Sequence, residues 1–103
     1  MNDEIYPKEG IKQALEYYDI LTLDLVHRDD LTYELYELIH EAFDVALEDR
    51  ERHVLFFMYM YPYNINDPVQ GCMDIIGISE KTVYRHASKG IDKLHRYMNG
   101  WDE

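Results

Sequence analysis

The chain of 103 residues has one cysteine, three prolines and no long apolar run, and each scarcity excludes a class of protein. A single thiol, Cys72, rules out an intrachain disulfide framework and fits a reducing compartment, so we expect a cytoplasmic protein. The longest apolar stretch, residues 54–63, holds about ten residues, which is too few for a membrane span. The first ten residues are acidic and lack an apolar segment, so we expect no signal peptide.

Patterns typical of enzymes and metal sites are equally scarce. The five histidines, at positions 27, 40, 53, 86 and 95, show no metal-ligand spacing. The sequence contains neither a glycine-rich phosphate loop nor a nucleophile elbow. Carboxylates at helical spacing are more typical of a solvated helix face than of a catalytic pair. We therefore expect no catalytic residue, no metal, no cofactor and no enzymatic activity.

Charge is the most biased property of the chain. It has 21 acidic and 10 basic residues, a formal net charge of −11. Residues 1–51 hold 15 acidic and 4 basic residues, whereas residues 52–103 hold six of each. Apolar residues make up 47%, which is enough for a core and too much for a disordered chain. Ten tyrosines, a residue type favoured at interfaces, support self-association or a protein partner.

Apolar residues at three- and four-residue spacing predict an all-α helical bundle. A first helix is expected from Pro7 to about Arg28, and a second carries apolar residues from Leu31 to Val45. A third, from about Glu48 to Met60, is apolar nearly all round and needs cover on most sides. We assign residues 1–46 to an acidic helical N-terminal part and residues 47–103 to a C-terminal domain. The acidic side of the second helix comprises Glu34, Glu37, Glu41, Asp44 and Glu48.

Residues 67–98 have the pattern of two capped helices joined by a tight turn. Asp67 and Pro68 suit the start of the first, and Gly77 suits a left-handed end. Ser79 suits the cap of the second helix. The inner stripe of that helix comprises Val83, Ala87, Ile91, Leu94 and Met98. Its outer side carries Lys81, Tyr84, Arg85, Ser88 and Lys89. This layout is typical of a helix-turn-helix, although a helical hairpin with a solvated charged face has the same pattern.

Residues 47–98 resemble region 4 of bacterial sigma factors, the domain that reads the −35 promoter element. The family's L-x-x-R-E-x-x-V-L helix is matched by Leu47, Arg50, Glu51, Val54 and Leu55. Its turn is matched by Gly77, Ile78, Ser79 and Val83, and the end of its recognition helix by Lys89, Ile91, Lys93 and Leu94. Small phage transcription activators of the ArpU and RinA type look similar in size and layout. Met73 and His86 depart from the pattern, which has a small and an aliphatic residue there.

The resemblance implies a sequence-specific DNA-binding transcription regulator of phage or mobile-element type. The residues expected to contact DNA are Lys81, Tyr84, Arg85, Ser88 and Lys89. Arg85 suits a guanine because its guanidinium is a planar fork. The expected partners are double-stranded DNA, a second copy in a homodimer, and RNA polymerase or another protein held by the acidic helices.

The net charge supports a second hypothesis from a different class. DNA affinity depends on neutralising phosphates, so a lone protomer this acidic is expected to bind weakly unless a dimer or polymerase assists. Alternatively, the acidic face mimics a nucleic acid and blocks a basic groove on a host or defence enzyme. DNA binding requires the basic helix to be exposed and the acids turned away, whereas mimicry requires a continuous acidic strip. A structural bundle without a nucleic-acid role is the third alternative.

Overall fold

The computed structural model describes residues 4–16, 30–60 and 67–101, and all regular structure in these ranges is helical. This confirms the all-α prediction. The helices are α1 (Lys8–Glu16), α2 (Asp30–Val45), α3 (Asp49–Leu55), α4 (Pro68–Ile76) and α5 (Glu80–Met98). α3 continues directly into a π-helical turn, Phe56–Met60. The first predicted helix begins as expected, and its proposed continuation to Arg28 lies outside the described residues. No helix within these ranges combines the length and apolar character needed to cross a membrane.

α3 begins at a reciprocal cap that is written in its own sequence. The side chain of Glu48 accepts a hydrogen bond from the backbone of the third helical residue, Glu51. Glu51 returns the interaction, because its Oε1 accepts from the backbone N–H of Glu48 at 2.8 Å. Two N–H groups that a helix start leaves without intrahelical partners are thereby satisfied. The cap fixes Glu51 at the inner side of α3.

The end of α2 is held by an arginine from the next helix. The Nη1 group of Arg52 donates to the carbonyl oxygens of Phe43 and Asp44, both at 3.2 Å, and of Leu47 at 2.8 Å. These carbonyls belong to the last turn of α2 and the loop after it, where a helix leaves acceptors unpaired. A cation there also interacts favourably with the negative end of the helix dipole. Arg52 therefore fixes the angle between α2 and α3.

The caps predicted for the C-terminal helix pair are confirmed. The side chain of Asp67 accepts from the backbone N–H of Gln70 at 3.2 Å, and Pro68 opens α4. α4 ends at Gly77, whose φ of 79° lies in the left-handed region that favours glycine. The hydroxyl of Ser79 accepts from the N–H of Thr82 at 3.2 Å and starts α5.

α5 is the central element of the core. All five residues of its predicted inner stripe are buried, and Gly90 is buried with them. Ile11 and Leu15 of α1 and Ile39 and Ala42 of α2 belong to the same buried cluster. The described parts of the N-terminal half thus pack directly on α5. The division into residues 1–46 and 47–103 stays a prediction.

Three expectations about the surface of the bundle are wrong. Val45, expected in the apolar stripe, is 64% exposed because α2 ends there and the chain turns away. The expectation that the third helix is covered on most sides fails at Phe56, which is 40% exposed at the start of the π-helical turn. Glu48 does not extend the acidic side of α2, since it lies beyond that helix and caps α3.

Candidate nucleic-acid interface

The five residues predicted to contact DNA share one exposed side of α5. Each of them is exposed, and Tyr84 is 53% exposed although it is a large aromatic residue. They are three or four positions apart within the first ten residues of the helix, a spacing that aligns side chains on one side. We call this surface the α5 face. The α5 face comprises Lys81, Tyr84, Arg85, Ser88 and Lys89.

Arg50 of α3 extends the α5 face on one flank. It is exposed, and its charge acts on the ring of His86 together with the charges of Arg85 and Lys89. Four groups from two helices are therefore close in space, and three of them are permanent cations. Arg50 was predicted only as one position of a helix pattern and not as part of this surface. Its position beside α5 depends on how α3 packs, which no local signal encodes.

His86 lies behind this cationic flank and is half-buried. Its Nδ1 atom is buried and has no hydrogen-bond partner among the described residues. Burial lowers the pKa of the His86 imidazole, and the charges of Arg85, Arg50 and Lys89 lower it further, while Glu51 opposes them. The ring is therefore neutral at pH 7 and does not add to the positive charge of the α5 face.

Replacing His86 with leucine is expected to raise the free energy of unfolding by about 1 kcal/mol at pH 7, because a buried acceptor without a partner is removed. A histidine whose folded-state pKa is lowered gives stability above its ordinary pKa of 6.5, and that stability is lost as pH falls through the folded value. His86→Leu should therefore lose less stability between pH 7 and 5 in urea titrations. His53→Gln, at an exposed position of α3, is the control, and an unchanged pH profile in His86→Leu would contradict this account.

Lys93 does not belong to the exposed basic surface. Its Nζ lies 2.8 Å from Oε1 of Glu51, whose side chain is 2% exposed. Burial alone would raise the pKa of the Glu51 carboxyl, but hydrogen bonds from Lys93 and from the Glu48 N–H hold it below its usual value. Lys93 therefore neutralises a buried carboxylate between α3 and α5. The charge of Lys93 therefore adds little to the positive surface that α5 presents to solvent.

The first described residues, 4–6, contact the carboxyl end of α5. The Oδ1 atom of Asn99 accepts from the backbone N–H groups of Ile5 and Tyr6 at 2.7 and 2.9 Å. Nε2 of His95 lies 2.7 Å from a carboxylate oxygen of Glu4. These contacts fix the N-terminal segment at the carboxyl end of α5, away from Lys81.

α2 approaches the same end of α5. Burial raises the pKa of the Tyr97 hydroxyl, and the Glu41 carboxylate, which is hydrogen-bonded to it, raises it further. Glu41 therefore lies beside Tyr97, about three turns along α5 from the middle of the α5 face. Glu41 and the α5 face are consequently separated along the length of α5.

The described residues offer no metal site and no activated nucleophile. No group of three or more His, Cys, Asp or Glu side chains in these ranges could hold a metal ion. Cys72 is fully buried, its Sγ lies 4.0 Å from the carbonyl oxygen of Val54, and burial raises the pKa of its thiol. A buried thiol with a raised pKa behaves as a small apolar side chain.

No family model, curated protein or solved structure is significantly similar to this chain. The likeness to sigma-factor region 4 and to ArpU- and RinA-type regulators therefore stays a prediction from the residues quoted above.

Proposed function

We propose that the protein is a sequence-specific DNA-binding transcription regulator of phage or mobile-element type. In this proposal α4 and α5 act as a helix-turn-helix, and the α5 face enters the major groove. Arg85 reads a guanine edge through its guanidinium, while Lys81 and Lys89 contact phosphates. Arg50 adds a phosphate contact from α3.

One observation carries the proposal: α5 buries its apolar stripe and leaves Lys81, Arg85 and Lys89 exposed on its N-terminal half, about three turns from Glu41 of α2. A recognition helix contacts bases through its N-terminal residues, so this is the half that must be free. A solvated hairpin would need neither this separation of charge nor an exposed tyrosine within the basic surface. Separation of the charges was the condition that distinguished DNA binding from mimicry.

Because the net charge is −11, DNA reading requires a second protomer or another protein that assists binding. Four cations on one protomer neutralise few phosphates, and the acidic remainder is repelled by the duplex. A homodimer would double the contacts by presenting two recognition helices about one DNA turn apart. RNA polymerase, bound through the acidic helices, would hold the protein at a promoter in the same way.

Arg85→Ala is expected to relax specificity at one base pair of the preferred duplex and to weaken binding by about 1–3 kcal/mol. Fluorescence anisotropy with all four bases at each position of that duplex measures both effects. Lys81→Ala is the matched control, because loss of a phosphate contact weakens every duplex alike and lowers the salt dependence. Equal weakening across all duplexes in Arg85→Ala would contradict base reading by this residue.

Nucleic-acid mimicry is the second candidate, because four acidic side chains of α2 are exposed. They are Glu34, Glu37, Glu41 and Asp44. Acids every three or four residues along one α-helix form a nearly straight row, whereas the phosphates of a DNA strand wind around the duplex axis. The strip is also shorter than expected, since Glu48 lies outside it. Mimicry by α2 alone is therefore the weaker proposal.

Stoichiometric inhibition of a DNA-cleaving nuclease or RNA polymerase would test the mimic. A mimic should lose inhibition when Glu37 and Glu41 are both changed to Gln, and should keep it when Arg85 is changed to Ala. The regulator that we propose shows the opposite dependence in DNA binding. The two variants therefore separate the candidates in one set of measurements.

A further inference from the structure

A groove of about 300 Å³ opens beside the α5 face, between α1, the π-helical turn and α5. Its most buried lining residues are Ala87 and Ile91 of α5. Met58 and Tyr59 of the π-helical turn line a second side, and Tyr84 stands at the edge that it shares with the α5 face. A mostly apolar lining with a few polar groups at the rim is typical of small-molecule sites, and this volume is at the lower end of their range. We call it the α1–α5 groove.

The π-helical turn is a second sign that this is a built feature. Such turns are rare, cost hydrogen-bond geometry and occur frequently at functional sites. Here the turn presents Met58 and Tyr59 to the groove immediately after α3. A regular α-helical continuation would rotate these side chains to a different side.

The cations at the rim differ in their availability. Lys8 forms an ion pair with Asp92, which lines the groove too, so its charge is already balanced. Among the described residues, Lys12 has only an exposed contact with Glu9 at 3.5 Å, and the Glu9 side chain is 83% exposed. Exposed pairs of this kind contribute little. Of the two lysines that the described residues place at the rim, Lys12 is therefore the one available to bind an anionic group, with the exposed hydroxyl of Ser88 also at the rim.

We propose that the α1–α5 groove binds a small aromatic organic acid, with its carboxylate on Lys12 and its ring against Tyr59, Tyr84 and Ile91. Two tyrosines from different elements favour a flat aromatic body, because rings pack by offset or edge-to-face contact. Lys12 favours a carboxylate over a neutral group. The volume limits the ligand to a small molecule.

Occupation of the groove regulates the α5 face, a consequence that rests on the proposed function. Tyr84 and Ser88 belong to both surfaces, so a ligand that covers them competes with duplex DNA. The carboxylate would also place a negative charge beside the phosphates. The protein is then a regulator whose DNA affinity falls when an aromatic acid is bound.

Nuclear magnetic resonance titration of the full chain with 1-naphthoate, without DNA, tests the groove. Chemical-shift changes that saturate with ligand concentration are expected at α1, the π-helical turn and the first half of α5. Naphthoate should bind about tenfold more tightly than neutral 1-naphthalenemethanol. Lys12→Gln should bring naphthoate to the affinity of the alcohol. Gln13→Glu is the matched control, because it makes the same change in charge at an exposed position of α1 outside the groove and should leave the preference for the acid intact.

Equal affinity for acid and alcohol, shifts confined to other surfaces, or no effect of Lys12→Gln would overturn the site. Anisotropy with the preferred duplex then tests regulation, and saturating naphthoate should weaken DNA binding about tenfold in the wild type and less in Lys12→Gln. Unchanged DNA affinity at saturation would overturn the regulatory role. A chain that binds naphthoate in the groove but binds no duplex would refute the proposed function and leave the site established.

Discussion

Replacing Lys93 with methionine is expected to lower the free energy of unfolding by about 2–4 kcal/mol, because Glu51 keeps a buried charge that has lost its partner. The range is below that for a fully buried pair, since 27% of the Lys93 side chain is exposed. Urea titration at pH 7 measures the loss. Lys8→Met is the matched control, because its pair with Asp92 is about half exposed on both sides and contributes less than about 1 kcal/mol.

Two further measurements identify the charge as the cause. Glu51→Gln in the Lys93→Met background keeps an acceptor for the Glu48 N–H and removes the charge, so it should restore part of the stability. In the wild type the lowered pKa of Glu51 gives stability above its ordinary value of 4.5 that is lost as pH falls through the folded value. When Lys93 is absent, burial raises the pKa of Glu51. The difference in free energy of unfolding between Lys93→Met and the wild type should therefore narrow from pH 7 to pH 5. A gap independent of pH would contradict the ion-pair account.

Neutralising Lys81, Arg85 and Lys89 together, each to glutamine, is expected to weaken DNA binding by about 3–5 kcal/mol, which is more than a hundredfold in Kd. The three side chains are exposed and α5 keeps its buried stripe, so circular dichroism and the unfolding midpoint should change little. The loss should therefore appear in binding alone.

Neutralising acids on α2 should have the opposite effect. Glu34, Glu37 and Glu41, each changed to glutamine, reduce the net charge from −11 to −8 without touching the α5 face. Less repulsion from the duplex should strengthen DNA binding, most clearly at low salt. Weaker DNA binding after removal of these acids would contradict the assignment of the α5 face as the DNA-contacting surface.

Local signals predicted the C-terminal helix pair in detail. Asp67, Gly77 and Ser79 each act on backbone groups within four residues, so their roles follow from residue type and spacing alone. The inner stripe of α5 follows from helical periodicity in the same way. The residues of α5 outside that stripe are exposed once the stripe is buried. The candidate DNA-contacting residues could therefore also be predicted from the sequence.

Features that depend on contacts between distant parts of the chain were not predictable. Glu51 and Lys93 are 42 positions apart, and nothing local distinguishes a buried ion pair from two solvated charges. The approach of Arg50 to Arg85 depends on the docking of α3 on α5. The α1–α5 groove is lined by both Lys12 and Tyr84, which are 72 positions apart in the sequence. It also depends on a π-helical turn that no residue pattern predicted.

The central claim is tested most directly by selection from a pool of random DNA duplexes at two salt concentrations. The mass of the protein in solution is measured first, to establish whether it is a dimer. The account predicts a dimer that enriches a palindrome with half-sites about one turn apart, and an affinity that falls as salt rises. Enrichment should disappear or shift at one position in Arg85→Ala. If no DNA sequence is enriched at low salt, even by a dimer, the α5 face does not read DNA. That result would favour a protein target bound by the acidic helices.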